Sequence, residues 1–554
     1  MKLTFLGAAH EVTGSRFLLQ ACGKNVMVDY GMEQGVDLYQ NAPLPLAESE
    51  LDAVLLTHAH IDHSGYLPLL YKKGFRGPIF ATEPTTDLCK IMLLDSAHIQ
   101  ESDAEWKTRK AQRRAQPPVE PLYTQEDALG AHGLFRPCAY GQRVEVCPGI
   151  SLRMVDVGHL LGSASIEVTI CEDGAERIVV FSGDIGNLNQ PLIRDPQYLQ
   201  RADVLVMEST YGDRSHGPKP DYIASLTQVL QETFDRGGNV VIPSFAVGRT
   251  QEMLYFLRQI KQERRVRGHD GFPVYIDSPL GIEATQVFNE NTWECADAET
   301  LALLRQGVNP LTFDGLRVAQ TAEDSKRINT DTTPKVILSS SGMCDAGRIR
   351  HHLKHNLWRA ECTVLFVGYQ SVGTLGRSLV DGVKEVKLFG ETIRVNARIE
   401  QLAGKSGHAD NAGLIRWAAA FSPKPEHVFV VHGDDDVTDA FAARLNQELG
   451  LAASAPYNGE CWNLCPLEKL AEGNRERLQK PHRDAAAMDA LPQRTPPAPA
   501  KAPKPADHTT AYGQLVLAGE KLMALIGRME KRSSKDQARL TRHIHTLVRK
   551  FARR

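Results

Sequence analysis

The residues best suited to chemistry lie in one short stretch, which contains His58, His60, Asp62 and His63. Neutral imidazole and carboxylate are the ligands of borderline divalent metals, above all zinc. The aliphatic run 53–56 directly before them predicts a buried strand. His58 and His60 would leave that strand end on the same side, whereas Asp62 and His63 would face a second ion. The alternative is a polar turn that is merely rich in histidine. Imidazole and charge at this density need partners when buried, which favours a metal site.

Two further strand ends offer possible metal ligands. A β-type run that begins at Ser151 leads to His159, and another, 179–183, leads to Asp184. Each residue alone is more typical of a structural role at a strand end. Asp29, which ends a third run, would either cap a turn or orient a ligating histidine.

The first motif resembles the signature of the metallo-β-lactamase superfamily, whose four-layer αββα fold holds two metals. The resemblance implies two divalent ions per chain, with zinc preferred and manganese as the alternative. The implied ligands are His58, His60 and His159 for one ion, Asp62 and His63 for the other, and Asp184 as the bridge between them. A motif of this kind indicates a fold and a metal but not a substrate.

After residue 205 the pattern changes to alternating strands and helices, which predicts a doubly wound α/β sheet. Small-residue turns that are rich in backbone amides follow three of its strands, and arginines stand close to two of these turns. Such turns suit phosphate oxygens. The phosphate-binding candidates are Ser244, Arg249, Ser341, Gly342, Arg348 and Gln370.

Glu208, His408 and His432 resemble motifs A, B and C of the β-CASP group, which comprises metallo-β-lactamase-fold nucleases with an inserted α/β domain. The resemblance is strongest to prokaryotic relatives of the endonuclease subunit of pre-mRNA 3′ processing. Motif C usually ends in glutamate, and Asp434 replaces it here without affecting His432. The implied organisation is an αββα sandwich from residues 1–205 and 396–465, an inserted β-CASP domain at 206–395, a proline-rich linker at 466–510 and a helical tail at 511–554.

This resemblance implies a metal-dependent ribonuclease that hydrolyses phosphodiester bonds. His432 would complete the second metal site, Asp62 would take part in catalysis, and His408, paired with Glu208, would protonate the leaving oxygen. The substrate would thread between the two domains, which fits single-stranded RNA. Alternatives are a catalytically silent RNA-binding or scaffold subunit, a DNA-directed nuclease and a small-molecule hydrolase. The complete ligand set disfavours the first alternative, and the insert disfavours the last.

The bulk composition fits a cytoplasmic protein of two or three domains. The chain has 554 residues, which is too long for one core. Its formal net charge is −3. No apolar run is long enough to span a bilayer, so we expect no membrane partner, and the first residues lack the layout of a signal peptide. The ten cysteines are scattered, which favours a reducing compartment.

The C-terminal tail differs in charge from the rest of the chain. Residues 511–554 contain eleven Lys and Arg against three Asp and Glu, and they follow a proline-rich segment, 495–505. Apolar residues at helical spacing predict a basic helical hairpin behind a semi-rigid linker. Its basic surface could contact RNA, and its apolar stripes could pack on another subunit of a homodimer or other homo-oligomer. The sequence leaves both possibilities open.

Deletion of the residues after 480 separates these two roles. We expect the sedimentation mass to fall and the salt dependence of RNA binding to stay the same, because both apolar stripes need burial in an assembly. If the tail binds RNA instead, the slope of log K against log salt should become shallower by roughly one unit per lost phosphate contact. Unchanged mass with a shallower slope would contradict the assembly role. Cleavage at saturating substrate should survive in either case.

Overall fold

The structure is a computed structural model, and it describes residues 1–478 apart from 36–37, 113–116, 218–219 and 403–405. The predicted helical hairpin and most of the predicted linker lie outside the described residues. Within the described part of the chain, no helix combines the length and the hydrophobicity that a membrane crossing requires.

The N-terminal part of the chain supplies eleven strands. In chain order they are β1 (Lys2–Gly7), β2 (Arg16–Ala21), β3 (Lys24–Val28), β4 (Ala53–Leu55), β5 (Ile79–Thr82), β6 (Phe135–Cys138), β7 (Arg143–Cys147), β8 (Ile150–Asp156), β9 (Ala164–Glu172), β10 (Ala175–Phe181) and β11 (Val204–Glu208). Strands β4 and β11 are buried along their whole length, as expected for strands covered on both faces.

The middle of the chain forms a separate six-stranded sheet in the order β14-β13-β15-β12-β16-β19, with all pairs parallel. A small antiparallel hairpin, β17-β18, stands beside it. The strands of this part are β12 (Val240–Pro243), β13 (Val274–Ile276), β14 (Leu316–Val318), β15 (Val336–Ser339), β16 (Thr363–Phe366), β17 (Glu385–Leu388), β18 (Glu391–Arg394) and β19 (Arg398–Gln401).

The last strands return to the two N-terminal sheets. They are β20 (His427–Val431), β21 (Ala453–Ser454), β22 (Cys461–Leu464) and β23 (Leu467–Ala471). The first sheet has the order β23-β22-β1-β2-β3-β4-β5-β6, and the second has the order β21-β20-β11-β10-β9-β8-β7. Strand β11 therefore lies between β10 and β20 and is parallel to both.

Helices cover the outer faces of the two sheets and surround the inserted sheet. They are α1 (Ile61–Ser64), α2 (Leu67–Lys72), α3 (Glu83–Gln112), α4 (Gln125–His132), α5 (Tyr222–Asp235), α6 (Arg249–Gln262), α7 (Pro279–Cys295), α8 (Ala298–Arg305), α9 (Ala322–Thr330), α10 (Ile349–Asn356), α11 (Leu375–Val380), α12 (Asn411–Ala418) and α13 (Asp435–Leu449), with a 3₁₀ turn at Glu48–Glu50. Helices α2, α3 and α4 pack on the first sheet, whereas α12 and α13 pack on the second.

These layers confirm the predicted αββα sandwich with an inserted α/β domain. The exact domain limits stay a proposal. The strand pairing supports an insert that begins after Glu208 and ends after Gln401, because β11 belongs to the sandwich and β19 pairs with β16 of the inserted sheet. Each limit would then lie a few residues later than the sequence indicated.

The core between the two sandwich sheets includes an aromatic cluster. The ring centroid of Phe429 on β20 lies 4.9 Å from that of Phe5 on β1 and 5.1 Å from that of Trp462 on β22. Phe429 is fully buried. Since aromatic pairs at this distance add to the stability from apolar burial, this cluster ties the C-terminal strands to β1.

Replacing Phe429 with alanine should therefore lower the free energy of unfolding by ~3–5 kcal/mol, because it removes a buried ring and leaves a cavity. Chemical denaturation followed by circular dichroism would measure the change. The control is Phe389→Ala, since Phe389 is 48% exposed on the β17–β18 turn. Equal losses in the two variants would contradict the structure.

Candidate metal centre and its acid–base pair

The proposed ligands come from the ends of neighbouring elements. The loop after β4 carries His58 and His60, and helix α1 carries Asp62 and His63. His159, Asp184 and His432 follow β8, β10 and β20. Sequence positions that are hundreds of residues apart thus meet at one edge of the sandwich, as expected where functional loops are held by a rigid scaffold.

The first ligand group consists of His58, His60, His159 and Asp184. The Nδ1 atom of His60 lies 3.0 Å from Nε2 of His58 and 3.2 Å from Nε2 of His159. The Oδ2 atom of Asp184 lies 3.3 Å from Nε2 of His58 and 3.4 Å from Nε2 of His159. One ligand atom from each of the four residues therefore points at a common position.

The second ligand group consists of Asp62, His63 and His432. The Nε2 atoms of His63 and His432 are 3.1 Å apart. Oδ2 of Asp62 lies 3.6 Å from Nε2 of His432. The other carboxylate oxygen of Asp184, Oδ1, is 3.2 Å from His63 and 3.5 Å from His432. Asp184 therefore faces one group with each oxygen, which is the arrangement expected of a bridge.

The chemistry of these donors fits divalent metal ions. Burial, together with the neighbouring imidazoles, lowers the pKa of His60 to about 3 and also lowers those of His58 and His159. The first group therefore offers neutral imidazoles, which is the form that binds metal. Oδ1 of Asp184 and Nδ1 of His159 are buried without a hydrogen-bond partner in the structure. Buried polar atoms seldom lack partners, and a cation would satisfy the carboxylate.

Hydrogen bonds from outside the ligand set fix the orientation of the imidazoles. Oδ2 of Asp29 lies 2.7 Å from Nδ1 of His63 and also accepts the hydroxyl of Thr57, while Oδ1 accepts the backbone N–H of Thr57. The hydroxyl of Thr210 lies 3.1 Å from Nδ1 of His432. Asp29 thus contacts a candidate ligand, and its orienting role stays a prediction. The sequence analysis did not indicate Thr57 and Thr210, although both stand inside the motifs and contact candidate ligands.

His408 and Glu208 form a pair beside the metal ligands. Nδ1 of His408 lies 3.2 Å and 3.3 Å from the two carboxylate oxygens of Glu208. The buried carboxylate also accepts the backbone N–H groups of Ile185 and Thr210. Because Glu208 occupies Nδ1, the second nitrogen of His408 faces the site, where it lies 3.9 Å from Oδ2 of Asp184.

The loop around His408 is held by backbone contacts with the residues that follow Asp184. Ala409 donates to the carbonyl of Ile185, and Nε2 of His216 lies 3.0 Å from the carbonyl oxygen of His408. His216 is a supporting residue that the sequence motifs do not indicate. Although burial lowers the pKa of His408, the charges of Glu208 and Asp184 raise it to about 9. The two carboxylates therefore favour the protonated form of the imidazole.

A cavity of about 420 Å³ opens beside the ligands and is lined by both the sandwich and the insert. His60, Asp62 and His408 contribute from the sandwich side, and Phe245 and Arg249 from the insert. Arg249, which pairs with Glu252, is thus the phosphate-binding candidate best placed for that role.

The other candidates lie deeper in the insert or are engaged elsewhere. The guanidinium of Arg348 lies 2.6 Å from Asp277 and also donates to two backbone carbonyls. Ser244 is buried and contacts Thr250, and the side-chain amide of Gln370 donates to the carbonyl of Gly342. The backbone N–H of Ser341 donates to the carbonyl of Ala346. A phosphate-binding role for the candidates stays a prediction.

Comparison with known proteins decides the family. Three domain families match the chain: the metallo-beta-lactamase superfamily domain at residues 18–182, the Beta-Casp domain at 250–379 and the Zn-dependent metallo-hydrolase RNA specificity domain at 392–456. The chain is 37% identical over 458 residues to ribonuclease TTHA0252 of Thermus thermophilus. The aligned residues cover 82% of this chain and 98% of that protein. The chain belongs to the β-CASP family of metallo-β-lactamase-fold proteins.

More distant members of this family share most of the chain as well. Transcription termination factor FttA of Pyrococcus abyssi is 31% identical over 477 residues, with 83% of this chain and 70% of that protein covered. FttA of Methanocaldococcus jannaschii is 32% identical over 472 residues, with 83% and 71% covered. The resemblance inferred from the motifs is therefore confirmed, and so is the fold that it implied.

The bridge assignment predicts a difference between two isosteric variants. Asp184→Asn should lower the occupancy of both metal sites, because its two oxygens face both ligand groups. Asp62→Asn should lower the occupancy of one site, since Asp62 belongs to the second group alone. Metal content per chain, measured by plasma mass spectrometry after gel filtration, would test this. Full metal content in Asp184→Asn would show that it is not the bridge.

Proposed function

We propose that this β-CASP protein is a metal-dependent ribonuclease that cleaves single-stranded RNA. The observation that carries the proposal is the convergence of two ligand groups on Asp184, with His408 and Glu208 beside them in one cavity. The printed name of the Thermus relative, a ribonuclease, and the match to an RNA specificity domain support RNA as the substrate.

We propose that the two groups hold two divalent ions, with zinc preferred because imidazole and carboxylate ligands suit it. His58, His60 and His159 would hold one ion, Asp62, His63 and His432 the other, and Asp184 both. Bound at these positions, the ions would supply an activated water and charge stabilisation for the phosphodiester. Manganese is the alternative that the same ligands allow.

The proton for the leaving oxygen would come from His408. Because Nδ1 is paired with Glu208, the nitrogen that faces the site is Nε2, and this atom would carry the transferred proton. Glu208 keeps the imidazole in this orientation and favours its charged form. A positioned acid of this kind contributes roughly 10²–10⁴-fold to a rate.

The shape of the site supports a single strand. The cavity lies between residues of the sandwich and residues of the insert, so the substrate has to enter between two protein walls. A duplex that keeps its paired structure would not bring its phosphates down to the buried ligands.

We also infer a reducing, cytoplasmic location, because all ten cysteines are free in the structure.

A direct test is a digest of single-stranded RNA and of DNA with the same sequence, labelled at the 5′ or the 3′ end, by protein reloaded with zinc or manganese. We expect metal-dependent cleavage of RNA, and the two labels together distinguish internal from terminal cuts. Faster cleavage of DNA than of RNA would show that DNA is the preferred substrate and would overturn the proposal. Binding of RNA without cleavage by fully metallated protein would favour a silent RNA-binding subunit.

The acid–base assignment predicts a specific pattern in two variants. His408→Ala should reduce turnover by about 10²–10⁴-fold while metal content and RNA affinity stay nearly unchanged. Glu208→Gln should act through the same histidine, so the double variant should lose little more than His408→Ala alone. Single-turnover rates at saturating RNA would measure this. Independent, additive losses would show that the two residues do not act as a unit, and lost metal would make His408 a ligand.

A further inference from the structure

An exposed aromatic ring stands at the cavity that contains the metal ligands. Phe245 follows β12, is 47% exposed and lines the same cavity as His60, Asp62 and His408. Within the described ranges, no other aromatic ring and no cation stacks on it. A single exposed apolar side chain is ordinary on a protein surface, so what distinguishes Phe245 is its place in the cavity that contains the candidate metal ligands and His408.

The position of Phe245 is fixed by the chain around it. Its carbonyl oxygen accepts the hydroxyl of Thr250 at 2.7 Å and the backbone N–H of the same residue at 3.2 Å. A Cβ atom added to Gly342 would lie only 3.2 Å from Cδ2 of the phenyl ring and 3.2 Å from the backbone nitrogen of Phe245. The ring therefore rests against the backbone of Gly342, which explains the small residue there.

Apolar residues of both domains line the cavity around this ring. Met92, Leu160, Val247 and Leu280 line the cavity together with Phe245. Arg249 and Glu252 also line the cavity, so a phosphate group would lie nearer Arg249, whereas the apolar residues suit a flat, weakly polar ring. Nucleobases of single-stranded RNA have such a face, and they commonly stack on aromatic side chains of the protein.

On these observations we propose that Phe245 is a stacking platform for one nucleobase next to the scissile phosphate. The inference rests on the proposed ribonuclease function and adds to it a base-binding subsite on the insert. Because every base has a stacking face, the subsite holds the strand in place without reading its sequence. Gly342 would serve as the support of the platform, which differs from the phosphate-binding role predicted for it.

An abasic scan tests the proposal. A set of RNA substrates carries one abasic nucleotide at each position in turn, from three upstream to three downstream of the cleaved bond. With the metallated wild-type protein, removal of the stacked base should lower kcat/KM by about tenfold at one position, a factor that corresponds to ~1.4 kcal/mol. With Phe245→Ala, intact RNA should show that loss, and the abasic substitution at that position should cost nothing more.

Three further variants separate stacking from simple apolar contact. Phe245→Trp and Phe245→Tyr should keep the wild-type abasic profile, because an aromatic face remains, whereas Phe245→Leu should resemble Phe245→Ala. Gly342→Ala should weaken the effect by displacing the ring. The matched control is Phe389→Ala, since Phe389 is equally exposed but lines none of the cavity. Metal content and thermal unfolding should be unchanged in the variants at position 245.

The outcomes distinguish the subsite from the function on which it rests. If Phe245→Ala is slow but keeps the full abasic profile of the wild type, the ring contributes to packing or domain contact and the proposal fails. An activity equal to wild type in Phe245→Ala would also overturn it. Failure of the wild-type protein to cleave any RNA would instead refute the ribonuclease function. If Phe245→Ala does not fold, the abasic profiles of Phe245→Trp and Phe245→Leu are compared instead.

Discussion

The structure depends on one unfavourable arrangement, the burial of a carboxylate among several imidazole nitrogens. Asp184 has hardly any exposure to solvent, and nitrogens from four histidines lie within 3.5 Å of its two oxygens. Lone pairs that point at one another repel unless a proton or a cation lies between them. Each ligand must therefore be held in place by the surrounding protein, and much of the fold can be understood as that support.

The order of the second sheet supplies part of this support. Strands β10, β11 and β20 are neighbours and run parallel, so the residues that follow them reach the same edge. Asp184, Glu208 and His432 are delivered by these three strands. The insert enters between β11 and β20, and its own loops thereby come to cover the ligands. This strand order thus positions the proposed bridge, the proposed partner of the general acid and the cavity beside them.

The sequence predicts this site unevenly, for physical reasons. His58, His60 and Asp62 could be recognised because their spacing is local, and a local pattern of metal-binding side chains is rare by chance. His159 and His408 are single histidines at a strand end and in a loop, so position alone made His159 no more than a candidate, and the family resemblance supplied the role of each. The contact between His216 and the His408 carbonyl spans 192 residues, so no pattern along the chain could reveal it.

The inserted loops show a different limit. The small residues and Arg249 in the turn that contains Phe245 predict phosphate binding. The exposed ring becomes relevant only because the fold places it beside the candidate ligands. Arg348 shows the same problem, since its guanidinium is bound by Asp277, which lies on another strand end of the insert. Residue type suggests what a loop could bind, but neighbours in space decide whether its side chains are available.

The pairing of distant segments has a consequence for the newly made chain. The backbone N–H of His432 donates to the carbonyl of Ala8, and Phe5 packs on Phe429. The ligand set therefore stays incomplete until the ribosome has released the chain beyond residue 432. Because domains generally fold as they emerge, the insert can form first while the N-terminal sheets wait for their last strands. During that interval the nascent chain lacks His432, so the site that we propose for RNA cleavage is not yet assembled.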